Sequence, residues 1–147
     1  MVADFRQLLS TPMDDIKRPP PLPAGTYHGV VASHEFGESS SKKTPFVQYN
    51  LALISPGDDV DQDTFSEAIS VLELSKRNFF VKYYLTDGAK YRVKDFLESV
   101  GVTWTGRSLG ECIPEARNAR VLASVTQKNS DDGKSIYNNV EDMKGEQ

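Results

Sequence analysis

Two histidines, His28 and His34, one cysteine, Cys112, and an acidic run of Asp58, Asp59, Asp61 and Asp63 are the residues here with obvious ligating or catalytic chemistry. None of them composes a site at the level of sequence. The histidines lie six residues apart in a segment that reads as a strand, which separates them by ~20 Å, too far to share a metal. The acidic run has the composition of a calcium loop, but the glycine and closing glutamate of that pattern are misplaced, so a solvated loop is the better reading. Cys112 has no histidine near it in sequence and falls on an apolar helical face, which predicts a buried structural thiol. "TDGAKYRVKD" lacks the spacing of a phosphate-cradling loop. The expectation is therefore no catalytic residue, no metal and no cofactor.

A second chemistry, stacking beside positive charge, is better represented. The stretch "RNFFVKYYLTD" (residues 77–87) places four aromatic rings and two cations within eight residues. Read at the strand period of two, Phe79, Val81, Tyr83 and Leu85 form one row and Phe80, Lys82 and Tyr84 the other. The first row suits a core. The second interleaves rings with a cation, and a preceding strand offers Phe46, Gln48 and Asn50 as its own non-core row. Bases stack on aromatic faces at ~1–3 kcal/mol each while cations follow the phosphates, so this combination suits a single-stranded nucleic acid. The expected stacking residues are Phe46, Phe80 and Tyr84, with Trp104 and Tyr137 as weaker members that suit a core equally well. Lys42, Lys43, Lys76, Arg77, Lys82, Lys128 and Lys134 are the expected phosphate contacts, and Gln48 and Asn50 the polar ones. Any one ring is more often core, and any one loop lysine more often serves solubility. The nucleic-acid reading rests on their joint placement.

That placement depends on the elements. Residues 1–24 read as an arm: "DFRQLL" as a helical turn with Phe5, Leu8 and Leu9 on one side, then a proline-rich lead with Pro19, Pro20, Pro21 and Pro23. Residues 25–141 read as one domain, and 142–147 as a short polar tail. Strands are expected at 26–36, 45–54, 77–85, 119–127 and 135–140, the last two joined by an Asp132-Gly133 hairpin turn. "TFSEAISVLEL" is ambiguous between strand and helix. A helix with Tyr91, Val93, Phe96, Leu97 and Val100 on one face, capped by Thr86 or Asp87, ends at Gly101. A shorter one follows Ser108, with Leu109, Cys112, Ile113 and Ala116 on a face.

Five strands with a helix between the third and fourth is the connectivity of an OB-fold-like, mainly β, Greek-key barrel. Such barrels bind ligands across strands two and three, between the loop joining strands one and two and the loop joining four and five. Here those loops carry Lys42 and Lys43, and Lys128 and Lys134.

Composition sets the outer limits. The 147 residues, 38% hydrophobic and 26% charged, exclude a wholly disordered chain, and a single cysteine excludes an internal disulfide. The net charge of −4 argues against a wholesale polyanion-binding surface but permits a local one. No apolar run approaches the ~20 residues of a membrane span, and the first residues lack a signal-peptide layout, so a cytoplasmic protein with no membrane partner is expected.

The segments "PLPAGTYHGVVASHEF", "TPFVQYNLALI", "FLESVGV", "GRSLGECIPEARNARVLASV" and "DGKSIYNNV", in that order over residues 19–140, resemble the single-stranded DNA-binding proteins encoded by bacteriophages. The resemblance implies an OB-fold and sequence-tolerant binding of single strands during replication, recombination or repair. It also implies a location in the host cytoplasm and replication or recombination proteins as partners. Many members recruit those partners through an acidic tail, often ending in an aromatic residue. This chain departs there, because "VEDMKGEQ" contains Lys144 and ends in Gln147. A homo-oligomer formed through the N-terminal arm is a further expectation. The rival readings are a non-catalytic structural or protein-interaction barrel and, more remotely, an enzyme that processes nucleic acid.

Overall fold

A computed structural model describes residues 5–15 and 18–146 of the chain. Five strands, β1 (Gly25–Glu38), β2 (Pro45–Pro56), β3 (Phe79–Tyr84), β4 (Arg120–Asn129) and β5 (Ile136–Gly145), form one sheet in the order β3-β2-β1-β4-β5. Every hydrogen-bonded pair in it is antiparallel. The ladder stays open between β3 and β5, yet the sheet curls until Cα atoms of these two edge strands lie within 8 Å. Four short helices accompany it: α1 (Phe5–Leu9), α2 (Gln62–Val71), α3 (Lys90–Ser99) and α4 (Leu109–Cys112).

Side-chain alternation produces the core. Val47, Tyr49, Leu51 and Leu53 of β2 and Phe79, Val81 and Tyr83 of β3 face inward, with Val121, Ala123 and Val125 of β4. α3 supplies Val93, Phe96 and Leu97, and the Phe96 ring stacks on Tyr83 with 5.7 Å between centroids. Two of the three buried phenols find hydrogen-bond partners, and the Tyr83 hydroxyl has none among the described residues. Tyr27 donates to the Pro23 carbonyl (2.7 Å) and Tyr49 to the Ile113 carbonyl (2.9 Å).

Several expectations change. The ambiguous segment 64–74 is largely helical: Asp61 caps α2 by accepting from the Asp63 N–H, and Phe65 and Ala68, three apart, face the core. Asp59 accepts from the Thr26 N–H (2.9 Å) and hydroxyl (3.0 Å), so the acidic run ties strand β1 to the start of α2. α3 begins after Ala89, with neither Thr86 nor Asp87 acting as its side-chain cap, and Tyr91 is 61% exposed instead of joining the buried face. Its stop at Gly101 holds: φ is +84° there, a conformation glycine adopts without strain, and the Val102 N–H returns to the Leu97 carbonyl.

Both ends of the domain also differ from expectation. Residues 142–145 extend β5, where Met143 is buried and the Gly145 N–H donates to the Ser99 hydroxyl (2.8 Å). A Cβ at Gly145 would collide with the Ser99 carbonyl. At the other end the proline lead is fastened down. The Leu22 N–H donates to Asn138 Oδ1 (2.7 Å), the Leu22 carbonyl accepts from Gln127 Nε2 (2.8 Å), and the Leu22 side chain is fully buried. The arm therefore leaves the body before Leu22, and its α1 buries no residue.

Candidate nucleic-acid interface

The outward rows of three strands meet in register. Phe46 of β2 lies opposite Tyr84 of β3 and Gly37 of β1; Gln48 opposite Lys82 and Glu35; Asn50 opposite Phe80 and Ser33. This nine-residue lattice is one face of the sheet, because neighbours along each strand point the other way. Phe80 and Tyr84 are 48% and 40% exposed, while Phe79, Val81 and Tyr83 between and beside them are buried. Four residue steps along the strand separate the two exposed rings, ~13 Å, with Lys82 midway.

Polar contacts hold the middle of the lattice. Gln48 Nε2 donates to Glu35 Oε1 and to Asn50 Oδ1, each at 2.8 Å, and Asn50 Nδ2 donates to Ser33 Oγ at 3.0 Å. Lys82 Nζ sits 4.6 Å from the Phe46 centroid and 5.6 Å from that of Phe80, within cation–π range of both. The cation is thereby held between the rings.

Phe46 does not present a platform. Its ring lies over Gly37, where a Cβ would come within 2.8 Å of it, meets Tyr84 edge-on at 6.1 Å and carries Lys82 on top, leaving it 9% exposed. It packs against Tyr84 and Lys82. Arg77, which also lines a groove beside β3, is already engaged by backbone carbonyls. Its guanidinium donates to the carbonyls of Leu72 (3.1 Å), Pro20 (2.8 Å) and Ala68 (2.9 Å), and burial lowers its pKa. Five fixed donors suit such a clamp.

The two loops flank the face differently. Lys42 and Lys43 lie exposed in the turn after β1, closed by the Ser39 N–H donating to the Thr44 carbonyl (2.9 Å) and by Lys43 in the left-handed region at φ +51°. They stand at the end where the Gly37, Phe46 and Tyr84 row lies. On the β4–β5 hairpin, Lys128 pairs with the half-exposed Tyr137, and Lys134 is near the turn tip. A groove of ≈ 390 Å³ runs between this hairpin and the start of β3, bounded by Tyr137, Asn78, Lys76 and Arg18. Tyr137 and Lys76 thus adjoin the β3 end of the lattice. Trp104 does not: it packs beside α3, under Lys94 at 4.0 Å, and α3 covers the core side of β3.

Sequence reasoning missed Arg18, Asn78, Glu35, Ser33 and the 60% exposed Phe36. Glu35 was legible as a neighbour only through the register of β1, which shifts between Val31 and Ser33. The other chemistry-bearing side chains have structural positions. His28 Nδ1 is 2.8 Å from Glu146 Oε1, His34 packs against Phe36 and Tyr49, and Cys112 is buried. Among the described residues no three His, Cys, Asp or Glu side chains cluster as a metal site would require. No protein-family model matches this chain, and no curated protein is detectably similar to it.

Proposed function

We propose that this chain is a non-catalytic, sequence-tolerant single-stranded DNA-binding protein built on an OB-fold-type barrel. For the barrel, the supporting features are the β1–β2–β3 meander, the return of β4 to β1, the helices between β3 and β4, and the approach of β5 to β3. For the function, the observation that carries the reading is the exposed Phe80, Lys82 and Tyr84 row on a strand whose alternate residues build the core. Bases stack on Phe80 and Tyr84, Tyr137 extends the path across the groove, and Lys42, Lys43, Lys76, Lys82, Lys128 and Lys134 neutralise phosphates. Gln48 and Asn50 contribute polar contacts but are partly committed to each other. The resemblance of its segments to bacteriophage single-strand binders supports a role in replication, recombination or repair in a host cytoplasm.

The test is titration of labelled oligo(dT) and its duplex at low and moderate salt, with and without magnesium. Salt-sensitive binding of the single strand without cleavage is the expected result. If all six lysines engage, the logarithm of affinity falls with the logarithm of salt at a slope of roughly −4, from ~0.7 per phosphate. No binding at low salt would overturn the proposal in favour of a protein-interaction barrel, and magnesium-dependent cleavage would favour a nuclease.

A further inference from the structure

Strand β1 outruns one of its two neighbours. On the β4 side it is paired from Gly25 to Val30, and the Asn118 N–H closes the last bond on the Val31 carbonyl (2.8 Å). On the other side the β2 ladder continues to Glu38, past a register shift between Val31 and Ser33. Residues 33–38 therefore present an open edge, to which nothing among the described residues makes a backbone hydrogen bond.

The turn after β1 sets which backbone groups that edge offers. The Ser39 N–H donates to the Thr44 carbonyl (2.9 Å), so with strand alternation Gly37, Glu35 and Ser33 aim their backbone groups at β2. His34, Phe36 and Glu38 aim theirs outward. An open edge is a template for a further strand. Phe36, at its middle, is 60% exposed, and its ring meets that of His34 edge-on at 5.6 Å.

Self-complementarity selects the occupant. Two copies of one strand paired antiparallel about a twofold axis are centred on a single residue, because facing side chains share a face of the sheet. Centred on Glu35, the pair opposes two carboxylates. Centred on His34, it sets Phe36 against Ala32, inside the register shift. Centred on Gly37, it enters the turn before reaching His34. Centred on Phe36, it lays that ring beside its own copy, sets His34 opposite Glu38 and leaves Glu35 opposite Gly37. Ser33 then meets Ser39, so the pairing fills the open edge from end to end.

We infer that β1 pairs antiparallel with β1 of a second copy of this chain over residues 33–39, centred on Phe36. Phe36 exchanges backbone hydrogen bonds with its own copy, and His34 exchanges them with Glu38. Aromatic and opposite-charge pairs across strands add to such a ladder. The axis stands perpendicular to the sheet, so the Phe80, Lys82 and Tyr84 rows of both copies face the same way. The pairing itself does not rest on nucleic-acid binding.

Light scattering on the full chain without nucleic acid, at about 0.1 mM, should give twice the 16.3 kDa chain mass, because modest interfaces dissociate in the micromolar range. Phe36→Glu and Phe36→Lys should each be monomeric, since each sets like charges face to face. Mixing the two variants should restore the dimer, which a misfolded variant would not do. Hydrogen exchange on the unmodified chain reads the same edge without any substitution. The His34, Phe36 and Glu38 amides should be protected at about 0.1 mM and lose that protection on dilution. A monomeric wild type, a dimer that survives Phe36→Glu, a mixture that stays monomeric, or a dimer in which those three amides exchange freely would each overturn the inference.

Discussion

Glu35 is the residue that most sharply separates a polyanion-binding face from a merely polar one. It is the only acid in the lattice and sits one position from Lys82 across Gln48. If phosphates pass over this face, Glu35→Gln removes a repulsion while keeping shape, and affinity for oligo(dT) should rise roughly two- to fivefold, the scale of an exposed charge interaction. Equilibrium fluorescence anisotropy measures it, and an unchanged or weakened affinity places the strand elsewhere. At this scale Phe80, Lys82 and Tyr84 were readable from alternation alone. Phe46 was not, because its burial depends on a glycine in one neighbouring strand and a lysine in the other.

Among the elements, the segment from Leu74 to Tyr84 shows how adjacent cations acquire different work. Lys76 is exposed beside the groove, whereas Arg77 closes three carbonyls of the proline lead and the α2 terminus. Arg77→Ala should destabilise the fold by about 2–3 kcal/mol, since it leaves several acceptors unpaired. Lys76→Ala should leave stability within ~0.5 kcal/mol. Urea unfolding midpoints of the two variants check the contrast. Sequence lists both residues simply as cations, because the carbonyls that capture Arg77 come from residues five, nine and 57 positions away. Bulges limited the reading of strands in the same way. The register shift between Ser124 and Val125 makes Val140 and Met143, three apart, both face inward, so a strict period of two ends β5 too early. α2 hid for another reason: its apolar residues fit a strand almost as well, and its cap lies in a run of aspartates.

Across the whole molecule, three buried phenols tie stability to pH. Burial pushes Tyr27 up to about 12, and burial likewise raises Tyr49 and Tyr83 well above the ordinary phenol range. An unfolded tyrosine loses its proton near pH 10, so the folded state binds more protons above that point. The tyrosines' contribution is therefore fully present below about pH 10 and is lost as pH rises, through the window from about 10 to about 12 for Tyr27. Denaturant midpoints measured from about pH 9 to about pH 12 should fall across that window, and a flat profile would contradict the packing described for the core. The order of strands and the helices before β4 were legible at this scale, since each has its own periodicity. The curl that brings β5 to β3 was expected only from the connectivity, as part of a barrel, because no local pattern encodes it.

The central claim is that the Phe80 and Tyr84 rings carry a single strand, and the measurement closest to it is oligo(dT) affinity of Phe80→Ala/Tyr84→Ala along a salt series. Both rings are substantially exposed, so the fold should survive, which near-ultraviolet circular dichroism and the urea midpoint verify. The expected result is a loss of about 2–6 kcal/mol at every salt concentration, with the salt slope unchanged, because stacking is removed and the cations remain. A folded variant that binds oligo(dT) as tightly as the wild type would contradict the account.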